Sequence, residues 1–132
     1  MNIVQWASYQ VGRRVTAPGG LGGQCVDLAN VYVMAQGKPA VRRNAVGWAA
    51  AGAVPGWVWV PNGPRNAPPL GAVVVWKGNV TAQGIGPYGH VAVAMAADPV
   101  ALLTLDQDWP EGSPVALVWH SYDGVAGWWQ PA

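Results

Sequence analysis

The sequence predicts an α+β fold in which N-terminal helices pack on a C-terminal antiparallel sheet. Three observations carry that expectation. Apolar residues recur at helical spacing only before Ala51. Between Ala72 and His120 four short runs rich in β-formers are bounded by Gly, Pro and Asp. The 132 residues include 18 Gly and 12 Pro, which calls for many turns and short elements. Helices followed by strands, rather than alternating with them, point to segregated layers.

Each element has a local reason. Asn2 to Val11 places Ile3, Trp6, Ala7 and Gln10/Val11 on one helical face. Thr16 to Gly23 (TAPGGLGG) is a glycine-rich loop. Cys25 to Gln36 repeats apolar residues at Val26, Ala29 and Val33 and at Leu28, Tyr32 and Ala35, and Gly37 and Pro39 end that helix. Asn44 caps a third short helix reaching Ala51. Trp57 to Asn62 is extended, and Pro64 to Leu70 is a proline-rich turn. Ala72–Trp76, His90–Met95, Ala101–Asp106 and Val115–His120 are the strands. Trp128 and Trp129 are expected to close the fold. With no repeat and no linker, residues 1–132 read as one domain.

Composition excludes several classes. Hydrophobic residues make up 52% of the chain and charged residues 10%, so the chain has a core and is not disordered. A net charge of +1 excludes binding of nucleic acid driven by charge. One cysteine excludes an intrachain disulfide and a multi-cysteine zinc site. Met1 to Gln10 lacks the basic start of a secretory signal. Val46 to Val60, the most apolar stretch, is broken by Gly47, Gly52, Pro55 and Gly56 and is shorter than the ~20 residues of a spanning helix. No signal peptide and no membrane partner are therefore expected.

The chemistry gathers around one cysteine and one histidine. Cys25 follows the glycine-rich loop and opens a helix, where unpaired N–H groups favour a thiolate and can hold an oxyanion. Without that setting a lone cysteine is a small buried hydrophobe. Gln24 can add an amide hydrogen bond to the oxyanion. His90 begins a strand after Gly86-Pro87-Tyr88-Gly89, a position suited to a general base facing a cleft. Asp106 ends the next strand and Asp108 lies two residues on. Alternation puts both on one face, within reach of the imidazole if the two strands pair. The bland alternative for both aspartates is turn chemistry before Trp109-Pro110. His120 with Asp123 offers a second candidate site, but His120, in a strand-to-turn segment, is expected to be exposed, and Arg13-Arg14 and Arg42-Arg43 to be solvated pairs. Most of the nine Trp belong to the core, with Trp57, Trp59 and Trp109 open to a substrate groove.

The segments Gly22-Gly23-Gln24-Cys25-Val26-Asp27-Leu28, Gly71 to Trp76, Gly89-His90-Val91-Ala92-Val93 and Leu105-Asp106-Gln107-Asp108-Trp109, in this order, resemble the CHAP family. These are cysteine, histidine-dependent amidohydrolases/peptidases of phage lysins and bacterial wall hydrolases. The resemblance implies a papain-like fold, a Cys25 nucleophile and a His90 base. It also implies an orienting Asp106 and a secondary, polar Asp108, where the family more often has Asn. Some members bind calcium before the cysteine through several acidic residues. Here only Asp27 stands nearby, so no metal or other cofactor is expected.

The implied function is peptidoglycan hydrolysis, as an amidase or endopeptidase, by a phage endolysin or a virion-associated lysin. Peptidoglycan would be the partner, with virion proteins as further ones. Synthesis would be in the host cytoplasm and the site of action the bacterial wall. Two other classes stay open. One is a non-enzymatic structural or wall-binding module of the same fold, such as a tail component, which would not need Cys25, His90 and Asp106 together. The other is a cysteine hydrolase acting on an intracellular amide or thioester.

Overall fold

The computed structural model describes all 132 residues. Two α-helices precede a six-stranded antiparallel sheet: α1 (Ile3–Gln10), α2 (Cys25–Ala35), β1 (Trp57–Pro61), β2 (Val73–Trp76), β3 (His90–Ala97), β4 (Leu102–Asp106), β5 (Ala116–His120) and β6 (Val125–Pro131). The α+β expectation holds. Asn2 caps α1 by accepting from the Gln5 N–H at 3.0 Å. The third expected helix is shorter, a 3₁₀ turn over Ala45–Ala49, with Asn44 accepting from the Gly47 N–H. No helix is long and apolar enough to cross a membrane.

The strand order is β1-β6-β2-β3-β4-β5. β6, which sits between β1 and β2, is a strand beyond those expected. Its core residues Val125, Trp128 and Trp129 are buried, and the adjacent tryptophans point to opposite faces of the sheet. A strand covered on both faces carries no polar alternation to reveal it. β2 is similar, with all four residues buried.

The two faces have separate cores. Val73, Val75, Val91, Val93 and Leu105 meet Leu28, Ala29, Tyr32 and Val33 of α2. Full burial of Leu28 or Val33 contributes about 1.5–3 kcal/mol each. The Tyr32 hydroxyl donates to the Gly71 carbonyl at 2.7 Å, so this aromatic ring is buried without leaving its polar tip unpaired. The opposite face holds Ala72, Val74, Trp76, Ala92, Ala94, Leu102 and Trp128. Trp57 and Trp59 correct an expectation: they pack on Tyr32 and Trp129 beside the helical core and do not line the cleft that holds Cys25.

Candidate active site

The loop before α2 is built around one buried carboxylate. Asp27 Oδ1 accepts from the Ala17 N–H at 3.0 Å, and Oδ2 from the Gly22 and Gln24 N–H groups at 3.1 Å each. Gly22 and Gly23 have φ of +94° and +68°, values that glycine adopts freely. The chain is thereby bent so that Cys25 enters the helix as its first residue, half-buried and facing a cleft. Gln24 and Cys25 line that cleft with His90, Tyr88, Trp109 and Glu111, and its volume is about 830 Å³.

His90 reaches the cleft from the start of β3. Gly89 precedes it with φ +76°, and a Cβ there would lie 2.6 Å from the Trp76 carbonyl oxygen. Only glycine permits this close approach of His90's chain to β2. β3 and β4 pair antiparallel, which brings Asp106 to the imidazole. His90 Nε2 lies 2.6 Å from Asp106 Oδ2. Thr104 donates its hydroxyl to Asp106 Oδ1. Burial works against a charged His90 ring, but hydrogen bonds to Asp106 and Cys25, and the charges of both, push its pKa up to about 9. Burial also works against an ionised Asp106. Hydrogen bonds from His120 and His90, and their charge, nevertheless hold its carboxyl below the usual carboxylate range.

Two expectations are corrected here. Asp108 does not crowd His90. Its backbone turns to φ +64°, which ends the alternation, and its carboxylate accepts from the Gly112 N–H within its own turn. The turn reading of Asp108 therefore wins, although the residue still lines the cleft. His120 is not exposed: it is 4% accessible, and its Nε2 lies 2.9 Å from Asp106 Oδ2. Leu102, Thr104 and Asp106 share a face of β4, and the register places His120 opposite Leu102 on that face. The Trp76 and Trp109 rings each lie against both imidazoles, at centroid distances of 4.8–5.2 Å.

Sequence reasoning also passes over Gln107. It is fully buried, and its amide pairs with both the N–H and the C=O of Val15 (2.6 and 2.9 Å) and with the Gln24 carbonyl (2.8 Å). Asp106 thus holds the histidine while its neighbour holds the loop that carries the cysteine. Arg14 and Arg42 are exposed, as expected, and also tie loops by donating to the Gly112 and Pro18 carbonyls. A polar residue directly after a strand gives no sign in sequence of such a distant partner.

A family model for the CHAP domain matches residues 14–107, and the chain belongs to that family. No curated protein sequence matches it. Among solved structures it is similar to the endolysin LysIME-EF1, with 26% identity and a TM-score of 0.76 over 98% of this chain and 62% of that one. It also shares its fold with Ly7917, solved with the hydrolyzing product of MDP (17% identity, TM-score 0.71, 98% of this chain and 61% of that one). PlyC is a third such structure (18%, TM-score 0.68, 96% of this chain and 34% of that one). The chain spans about three fifths of LysIME-EF1 and Ly7917 and a third of PlyC.

Proposed function

We propose that residues 1–132 form one catalytic unit of a peptidoglycan hydrolase that cleaves amide bonds through Cys25. The observation that carries this reading is the meeting, in one cleft, of a cysteine at a helix start with a buried histidine–carboxylate pair. A wall-binding or structural module has no use for a buried charged pair beside a thiol. Membership of the CHAP family and likeness to an endolysin support peptidoglycan as the substrate.

Asp106 occupies Nε2 of His90, so Nδ1 is the nitrogen left for Cys25. The thiol proton passes to Nδ1, leaving a thiolate–imidazolium pair, and the thiolate attacks the amide carbonyl carbon. The resulting oxyanion is held by N–H groups of the first turn of α2, aided by the Gln24 amide. As the C–N bond breaks, His90 returns the proton to the leaving amine. Water, deprotonated by His90, then releases the acyl group from sulfur as a carboxylate. Asp106 keeps the ring oriented and its cation stabilised. The bond lies in the stem peptide, the cross-bridge or the sugar–peptide link, making the enzyme an endopeptidase or an N-acetylmuramoyl-L-alanine amidase. The biological setting that fits is a phage endolysin or a virion-associated lysin.

Purified wall incubated with the protein should gain free amines, and the Cys25→Ala protein should release none. Equal release by a folded Cys25→Ala protein would end the cysteine-enzyme reading.

A further inference from the structure

The wall-hydrolase chemistry uses one histidine, yet the chain contains two, and both are buried on the same carboxylate oxygen. We propose that His120 is a positioning residue: by donating its Nε2–H to Asp106 Oδ2 beside His90, it fixes the carboxylate and moderates its hold on the His90 cation. The inference rests on the proposed Cys25–His90 pair, but not on the identity of the substrate.

An ionised carboxylate only accepts hydrogen bonds. Asp106 is held ionised, so each imidazole nitrogen within 2.6–2.9 Å of Oδ2 must carry its proton. Each ring then carries a proton on Nε2. These separations are hydrogen-bond distances, and Thr104 fills Oδ1 from the same strand. With partners on both oxygens, the carboxylate cannot rotate about its Cβ–Cγ bond without losing one of them. Trp76 and Trp109, each 4.8 Å from the His120 ring, keep the donor in place.

The second consequence is electrostatic. The charge of Asp106 is divided between two donors, so His90 receives less of it than it would alone. The titratable groups facing His90 are Cys25 from α2, Asp106 from β4 and His120 from β5, whose ring centroid is 6.2 Å away. Those facing Asp106 are the two imidazoles. Removing the His120 donor leaves a carboxylate that is looser and more basic. His90 is then less well oriented, but its cation is favoured to higher pH.

The substrate-free test follows the rate of Cys25 alkylation by iodoacetamide across pH. In His120→Leu the alkaline inflection, which reports loss of the His90 proton, should move up by about half a unit or more. On wall material kcat should fall about tenfold with KM little changed. His120→Gln, whose side-chain amide presents an N–H, should restore both. An unmoved inflection in His120→Leu, or equal losses in the Leu and Gln variants, would overturn the proposal by reducing His120 to packing. The wild-type protein supplies an independent check, because ¹⁵N NMR of two histidines is readily assigned. Nε2 should be protonated in both rings, and a His120 found as the Nδ1–H tautomer would contradict the proposal even if neither variant folded. A wild-type protein that released no wall amines while its inflection still moved with His120→Leu would defeat the peptidoglycan reading and leave this one intact.

Discussion

Asp106 and Asp108 are two residues apart and have opposite duties. Asp106 is buried, ionised and engaged on both oxygens, whereas Asp108 closes a turn at φ +64°. Asp106→Asn would point an N–H₂ group at an imidazole or at Thr104 and remove the charge that supports the His90 cation. Its turnover on wall material should fall about 10³–10⁴-fold, the scale seen when a histidine loses its orienting carboxylate. Asp108→Asn keeps an oxygen for the Gly112 N–H, and Asn tolerates a left-handed backbone well, so its turnover should stay near wild type. The reverse pattern in one assay would exchange the two roles. The placement of Cys25, His90 and Asp106 was legible because their settings are local: a glycine loop before a helix, a glycine turn before a strand, a strand end. Asp108 was misread because alternation was carried one step past the end of the strand. His120 was misread because its setting is not local, since its partner lies on another strand.

The loop before α2 and the segment after β4 form one brace. Asp27 accepts three backbone N–H groups, and Gln107 makes three hydrogen bonds to Val15 and Gln24. Asp27→Ala leaves these donors unpaired at a buried position, so thermal unfolding should show a loss of about 3 kcal/mol or more. A variant as stable as wild type would mean the loop holds itself. Both Asp27 oxygens are already taken by the backbone, so EDTA should leave wall hydrolysis unchanged. Recovery of EDTA-lost activity with added calcium would show a cation site that this reading misses. The strands from β2 to β5 were legible to within a residue or two because each is a short apolar run between breakers. β6 was not, since Trp128-Trp129 interrupts alternation and only the sheet order reveals its central place. Gln107 was equally hidden, because its three bonds span more than eighty residues of chain.

At the scale of the whole molecule, the site is a store of pH-dependent stability. The His90 pKa stands at about 9 in the fold against 6.5 for a free ring. Its contribution is therefore complete below about pH 6.5 and is lost as pH rises through about 9. Asp106 has a lowered pKa, so its contribution is present above the ordinary value of 3.8 and fades as pH falls below that. Stability should thus be highest in the weakly acidic range and decline on both sides. In Cys25→Ala the alkaline decline should be smaller and complete at a lower pH, because one of the two groups that raise the His90 pKa is gone. Urea titrations across pH check this, and identical alkaline limbs in the two proteins would argue against a thiolate–imidazolium pair. The central claim is that Cys25 cleaves an amide of peptidoglycan by way of an acyl-enzyme. It is tested most directly by mass spectrometry of wall digested in H₂¹⁸O. The account predicts paired products, a free amine and a carboxylate carrying one ¹⁸O, at a single type of amide bond, and none with Cys25→Ala. Cleavage confined to sugar–sugar bonds, or the same labelled products from the Cys25→Ala protein, would contradict it.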